Sequence, residues 1–158
     1  MPEPEKRRRT GRVILLLLVL VSLGVIGYLS LEVKVSESTG GTSYPFTTTY
    51  DVLFPGGESV RVAGIELSAV PRVDGVTLSV NGEPVEIARD ETADVATRHG
   101  RITVLGMPVL DFEVRIQAIS LGTVGDQARC YLAFQTSKQV PSFLIDRLLP
   151  SSLQARPV

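Results

Sequence analysis

The chain offers few side chains able to do chemistry. Cys130 is its one cysteine and His99 its one histidine. A thiol nucleophile needs a base beside it and a partly exposed, electropositive setting. Cys130 instead falls at an inward position of an alternating apolar run, where a free thiol packs as a small hydrophobe. His99 lies in a polar stretch between Arg98 and Arg101, and nothing in the spacing brings it to Cys130. Asp90, Glu91 and Asp94 are the only acidic cluster and the only metal candidates. Hard cations want several oxygens from a shaped loop, and this stretch lacks the Asp-x-Asp-x-Asp-Gly order, so a solvated loop is the expectation. No Gly-x-Ser-x-Gly elbow, phosphate loop or His-Glu-x-x-His helix is present. No catalytic residue and no cofactor are assigned, and the chemistry leans away from an enzyme.

The elements around these residues are more informative. Lys6, Arg7, Arg8, Arg9 and Arg12 precede residues 13–31, which hold no charged side chain. A run of that length reaches about 28 Å as a helix, close to the thickness of a bilayer core. In hydrocarbon the backbone must satisfy its own hydrogen bonds, so the run predicts a transmembrane helix. Val13, Leu16, Leu20, Leu23, Tyr28 and Leu31 are its anchor positions, with Tyr28 suited to a headgroup zone. Basic flanks stay in the cytoplasm, so the amino terminus is expected inside and the rest extracytoplasmic. A cleaved signal peptide would have a shorter apolar region and a small-x-small cleavage site.

Residues 34–158 carry eleven Lys/Arg and fourteen Asp/Glu, a net charge of −3. That balance argues against nucleic acid as a partner. A single cysteine excludes an internal disulfide, so the domain has to hold by packing alone.

From Tyr44 the period of the pattern is two. Tyr44, Phe46, Tyr50, Val52 and Phe54 share a parity, and Pro55-Gly56-Gly57 ends the run. Val60 and Val62, then Ile65, Leu67 and Ala69, alternate on either side of Ala63-Gly64, which reads as a bulge or bend, and Pro71 as a stop. Asn81-Gly82 between two alternating runs predicts a hairpin, since both turn residues need φ > 0. Residues 90–100 read as an irregular polar loop. Residues 109–120 form the longest predicted strand, with Phe112, Val114, Ile116 and Ala118 inward. Residues 128–136 pair with it, with Cys130, Leu132 and Phe134 inward. Pro141 and Pro150 bracket a short helix carrying Phe143, Leu144, Ile145, Leu148 and Leu149, expected to dock on the β domain, and residues 151–158 are expected to fray.

The fold class is therefore mainly β. A single N-terminal transmembrane helix leads into an antiparallel β-sandwich or small barrel and a short C-terminal helix. The expected divisions are a cytoplasmic basic tail at 1–12, a signal-anchor helix at 13–31, a linker at 32–43, an extracytoplasmic β domain at 44–139, and a helix and tail at 140–158. The expected role is a single-pass binding or structural protein of the cell envelope, held by one helix in the lipid bilayer, with a protein or cell-envelope partner. The rival expectation is a membrane-tethered enzyme or small-ligand carrier whose site lies inside the β domain or at its loop end.

Overall fold

The computed structural model describes residues 5–38 and 43–158. Helix α1 (Glu5–Leu29) is followed by β1 (Glu32–Glu37), β2 (Phe46–Phe54), β3 (Val60–Val62), β4 (Ile65–Arg72) and β5 (Gly75–Val80). Then come β6 (Glu83–Ala88), β7 (Thr92–Val104), β8 (Met107–Val124), β9 (Gln127–Thr136), α2 (Ser142–Asp146) and β10 (Gln154–Pro157). The chain divides into two compact units. One is α1, up to Glu32, with Ile102–Leu110; the other holds Val33–Arg101 and Asp111–Val158.

In the helical unit, Gly11–Leu29 is long and apolar enough to cross a membrane, a character that signal sequences share. Every large apolar side chain from Val13 to Leu29 is more than half exposed. The helix ends at Leu29, earlier than expected: Ser30 is a turn residue and Leu31 lies outside α1. The basic residues Lys6 to Arg9, and Arg12, fall within α1 rather than in a separate tail. Residues 1–4 of the expected tail lie outside the described residues. So do residues 39–42 of the expected linker, which begins instead with a strand, β1.

The larger unit is a sandwich and not a closed barrel. Its sheets have the orders β1-β7-β8-β9-β2-β10 and β3-β4-β5-β6. The pairings β8·β9, β9·β2 and β2·β10 are antiparallel, as are those of the smaller sheet. The longest strands pair as the parity requires, with Ile116 opposite Phe134 and Ala118 opposite Leu132. Phe112, Val114, Ile116, Ala118, Cys130, Leu132 and Phe134 are all buried. So are Tyr50, Val52 and Phe54 of β2, whereas Phe46 of the same parity is exposed. From the smaller sheet Val60, Val62, Ile65, Leu67, Ala69, Val76, Leu78 and Ile87 complete the core. Tyr50 meets Phe134 edge-to-face, with centroids 5.7 Å apart.

The smaller sheet is a meander of two-residue hairpins. Asn81-Gly82, with φ of 49° and 88°, makes the expected turn. Ala63-Gly64 is a second turn of the same kind and not a bulge, since Val62 pairs directly with Ile65. Pro71 does not stop β4. It pairs with Val76, one step from the Arg72–Gly75 pair that closes the hairpin. Ladder alternation then points its nitrogen away from β5, where a missing N–H costs nothing.

Two further expectations are overturned. Residues 90–100 are mostly strand, because β7 is held by backbone pairing between β1 and β8 although most of its side chains are only half-buried. The tail does not fray. β10 pairs with β2, and Val158 N–H donates to Thr49 C=O at 3.0 Å. Helix α2 is shorter than expected and buries Leu144 and Ile145, followed by buried Leu148, while Phe143 stays exposed. Pro141 is its N-cap.

Replacing Phe134 with Ala removes a ring from the middle of the larger sheet's inner face. The variant is expected to lose about 3–5 kcal/mol of stability, read as a lowered melting temperature of the full chain in detergent.

Candidate functional site

The sequence candidates do not converge. Cys130 is fully buried in β9, and burial pushes its thiol up to about 12. At that value the thiolate is scarce at neutral pH, so the side chain is packing material and not a nucleophile. Asp90, Glu91 and Asp94 part company. Asp90 sits at φ 63° and gives its N–H to Ser120 C=O at 2.8 Å. Glu91 Oε2 accepts the Ala88 N–H at 3.1 Å. Asp94 faces β8 and accepts from Arg115 and from Gln117 Nε2, the latter at 2.7 Å. Among the described residues no three His, Cys, Asp or Glu side chains gather as a metal site would require.

His99 is on strand β7, not in a loop. Its Nε2 lies 3.4 Å from Asp111 Oδ1 and its Nδ1 4.0 Å from Glu113 Oε1. Both carboxylates have other partners. Arg101 Nε donates to Asp111 at 2.6 Å, and Ser38 Oγ and Tyr44 OH donate to Glu113 Oε2 at 2.6 and 3.4 Å. Ser38 thus bonds to a carboxylate of this group. Burial, then the Glu113 charge, raises the Tyr44 phenol above its ordinary range.

These contacts belong to a polar face that crosses the larger sheet. Gln135 Nε2 donates to Gln117 Oε1 at 2.8 Å, which links the Asp94 cluster to β9. Asp51 of β2 receives both Nε and Nη2 of Arg129 from β9, the Nε contact being 2.9 Å. The bonds from Arg129 hold Asp51 below the usual carboxylate range, and those from Arg115 and Gln117 do the same for Asp94. The chemistry here is cross-strand pairing. Two open clefts are lined by described residues. One of about 570 Å³ runs beside the β4–β5 turn, between Arg72, Asp74, Glu86 and Glu91. One of about 210 Å³ lies between Asp51, Arg129, Gln154 and Arg156. Neither is lined by His99 or Cys130.

Asp111, Glu113, Arg115 and Gln117 alternate with the inward set of residues 109–120 and so share the outward row, but alternation does not reveal which strand lies alongside to partner them. The sequence reading also missed the apolar turn between β7 and β8, where Leu105, Met107 and Val109 are exposed. The visible signal was Leu105-Gly106-Met107, apolar residues at a place where turns favour Asn, Asp or Gly. No family model, curated protein or solved structure matches the chain.

Two outcomes follow. A carboxyl held below its unfolded pKa stabilises the fold above that unfolded value, about 4, and the contribution is lost as pH falls through the folded pKa. Acid should therefore weaken the domain. Asp51→Asn is expected to lower the melting temperature at neutral pH and to flatten its decline in acid, followed by thermal melts from pH 7 to about 3. The Cys130 thiol is expected to resist an aromatic disulfide reagent in the folded chain and to react within minutes in denaturant.

Proposed function

We propose that the protein is a single-pass membrane protein whose β-sandwich stands on the extracytoplasmic side and serves as a binding or structural component of the cell envelope. The observation that carries this reading is helix α1, whose large apolar side chains from Val13 to Leu29 are all more than half exposed. So large an apolar surface requires a non-aqueous surrounding. Orientation follows from the charges: five cations precede the span, against Glu32, Lys34 and Glu37 after it. A packed β-sandwich with no converging reactive groups among the described residues suits a scaffold or binding module, with lipid bilayer on one side and a protein or envelope component as its other partner.

The full chain expressed in cells is expected to stay in the membrane pellet through alkaline carbonate extraction. Protease added to spheroplasts should digest residues 34–158 and spare the basic end. A mature protein beginning near residue 30 would refute the anchor. Protection of the β domain in sealed spheroplasts, with digestion after lysis, would refute the orientation.

A further inference from the structure

The turn between β7 and β8 is unusual in its residues. Leu105 and Gly106 occupy its two central positions with φ of 52° and 77°. Leucine rarely adopts that left-handed conformation, which Asn or Gly takes with less strain. The strained leucine is also 58 % exposed, and Met107 and Val109 beside it are 64 % and 65 % exposed. Three large apolar side chains at one hairpin tip have no role in the core.

The same tip is tied to the end of α1. Leu105 N–H donates to Ser30 Oγ at 3.2 Å. Ser30 in turn donates its hydroxyl to Gly27 C=O at 3.0 Å and its N–H to Ile26 C=O at 2.9 Å. Ser30 follows directly on the last residue of the apolar helix. Tyr28, one of the residue types that gather at the headgroup level, is exposed two positions earlier. The hairpin tip therefore lies at the depth at which the span ends.

We propose that this tip is a second membrane contact, with Leu105, Met107 and Val109 inserted into the interfacial zone of the leaflet that receives the C-terminal end of α1. The proposal rests on α1 being a membrane anchor. Lipid is the occupant because the Leu105–Ser30 bond joins the tip to the end of the helix that the anchor reading places in lipid. The bond from Leu105 to Ser30 also satisfies a turn N–H that would otherwise enter that zone unpaired. A helix and a hairpin inserted together hold the chain at two points, which restricts tilt about the anchor.

The chain contains no tryptophan, so one introduced indole reports alone. Four single variants of the full chain, Leu20→Trp, Met107→Trp, Val109→Trp and Val73→Trp, are reconstituted into phosphatidylcholine vesicles. The lipids are brominated either near the headgroup end or near the tail end of the acyl chains. Leu20→Trp, at mid-span, should be quenched by deep bromine. Val73→Trp, at the exposed β4–β5 turn, should emit as in water and be quenched by neither. Met107→Trp and Val109→Trp should be blue-shifted and quenched by the shallow bromine more than by the deep. If Leu20→Trp escapes quenching, the anchor reading fails and the proposal with it. If Leu20→Trp is quenched while both tip variants behave like Val73→Trp, the tip proposal alone fails. Tip emission that is blue-shifted yet insensitive to bromine would place a protein surface or a second copy of the chain on the patch, and would overturn it equally.

Discussion

A sheet of four strands has to cover a sheet of six, and no disulfide helps to hold them together. The inner face of the larger sheet needs more cover than the meander of β3 to β6 can provide. The C-terminal segment makes up part of the difference. Leu144, Ile145, Leu148 and Leu153 are all buried, and side chains of this size stabilise by roughly 1.5–3 kcal/mol each when fully removed from water. Directional bonds fix where they pack. Tyr50 OH, on the larger sheet, donates to Asp146 Oδ1 at 2.6 Å, and Ala63 N–H, on the smaller, donates to Leu148 C=O at 3.1 Å. The segment is thereby bonded to both layers. Burial and the Asp146 bond together raise the Tyr50 phenol above its ordinary range, which keeps it a donor at neutral pH.

With the inner face committed to packing, the outer face of the larger sheet carries the charge. Its ion pairs are partly exposed and individually worth little. Their contribution is to register. Asp51 meets Arg129 only when β2 and β9 are aligned as they are, and Asp94 meets Arg115 and Gln117 only when β7 lies correctly against β8. A slip of one residue would break these pairs and turn the apolar set outward as well. Glycine imposes a related demand at two places. A Cβ on Gly75 would lie 2.1 Å from the Ile87 carbonyl oxygen, and one on Gly100 would lie 2.4 Å from the Phe112 ring. At Gly75 the obstacle is backbone and excludes any other residue, whereas at Gly100 a larger residue would force the Phe112 ring to move.

The parts of the fold that were legible in the sequence are those where one face is buried and the other wet. Phe112 to Ala118 against Cys130 to Phe134 is the clearest case, and Asn81-Gly82 is the clearest turn. Strand β7 was illegible because it owes its conformation to neighbours on both sides; Asp94 and Gly100 are of types depleted in strands. Strand β10 was illegible for a similar reason, being four residues long and mostly exposed. Ala63-Gly64 was legible as a break but not as a two-residue turn, because an apolar first turn residue is a weaker cue than Asn or Asp, and the same holds for Leu105-Gly106. The site fared worst. Its pairs come from different strands, and only the folded register brings Asp51 to Arg129 or His99 to Asp111.

The order of the strands also governs when the domain can close. Strands β3 to β6 are sequential hairpins, so their contacts are local and form early. Strand β2 is different. It precedes the meander in the chain, yet both its partners, β9 and β10, come from the far end. As the chain emerges from the ribosome, the meander can assemble while β2 waits with the apolar row Tyr50, Val52 and Phe54 uncovered. The sheet closes only after residue 157 has been made. Throughout that interval β2 lacks a neighbour on at least one side, and its unpaired backbone and apolar row expose the nascent domain to aggregation.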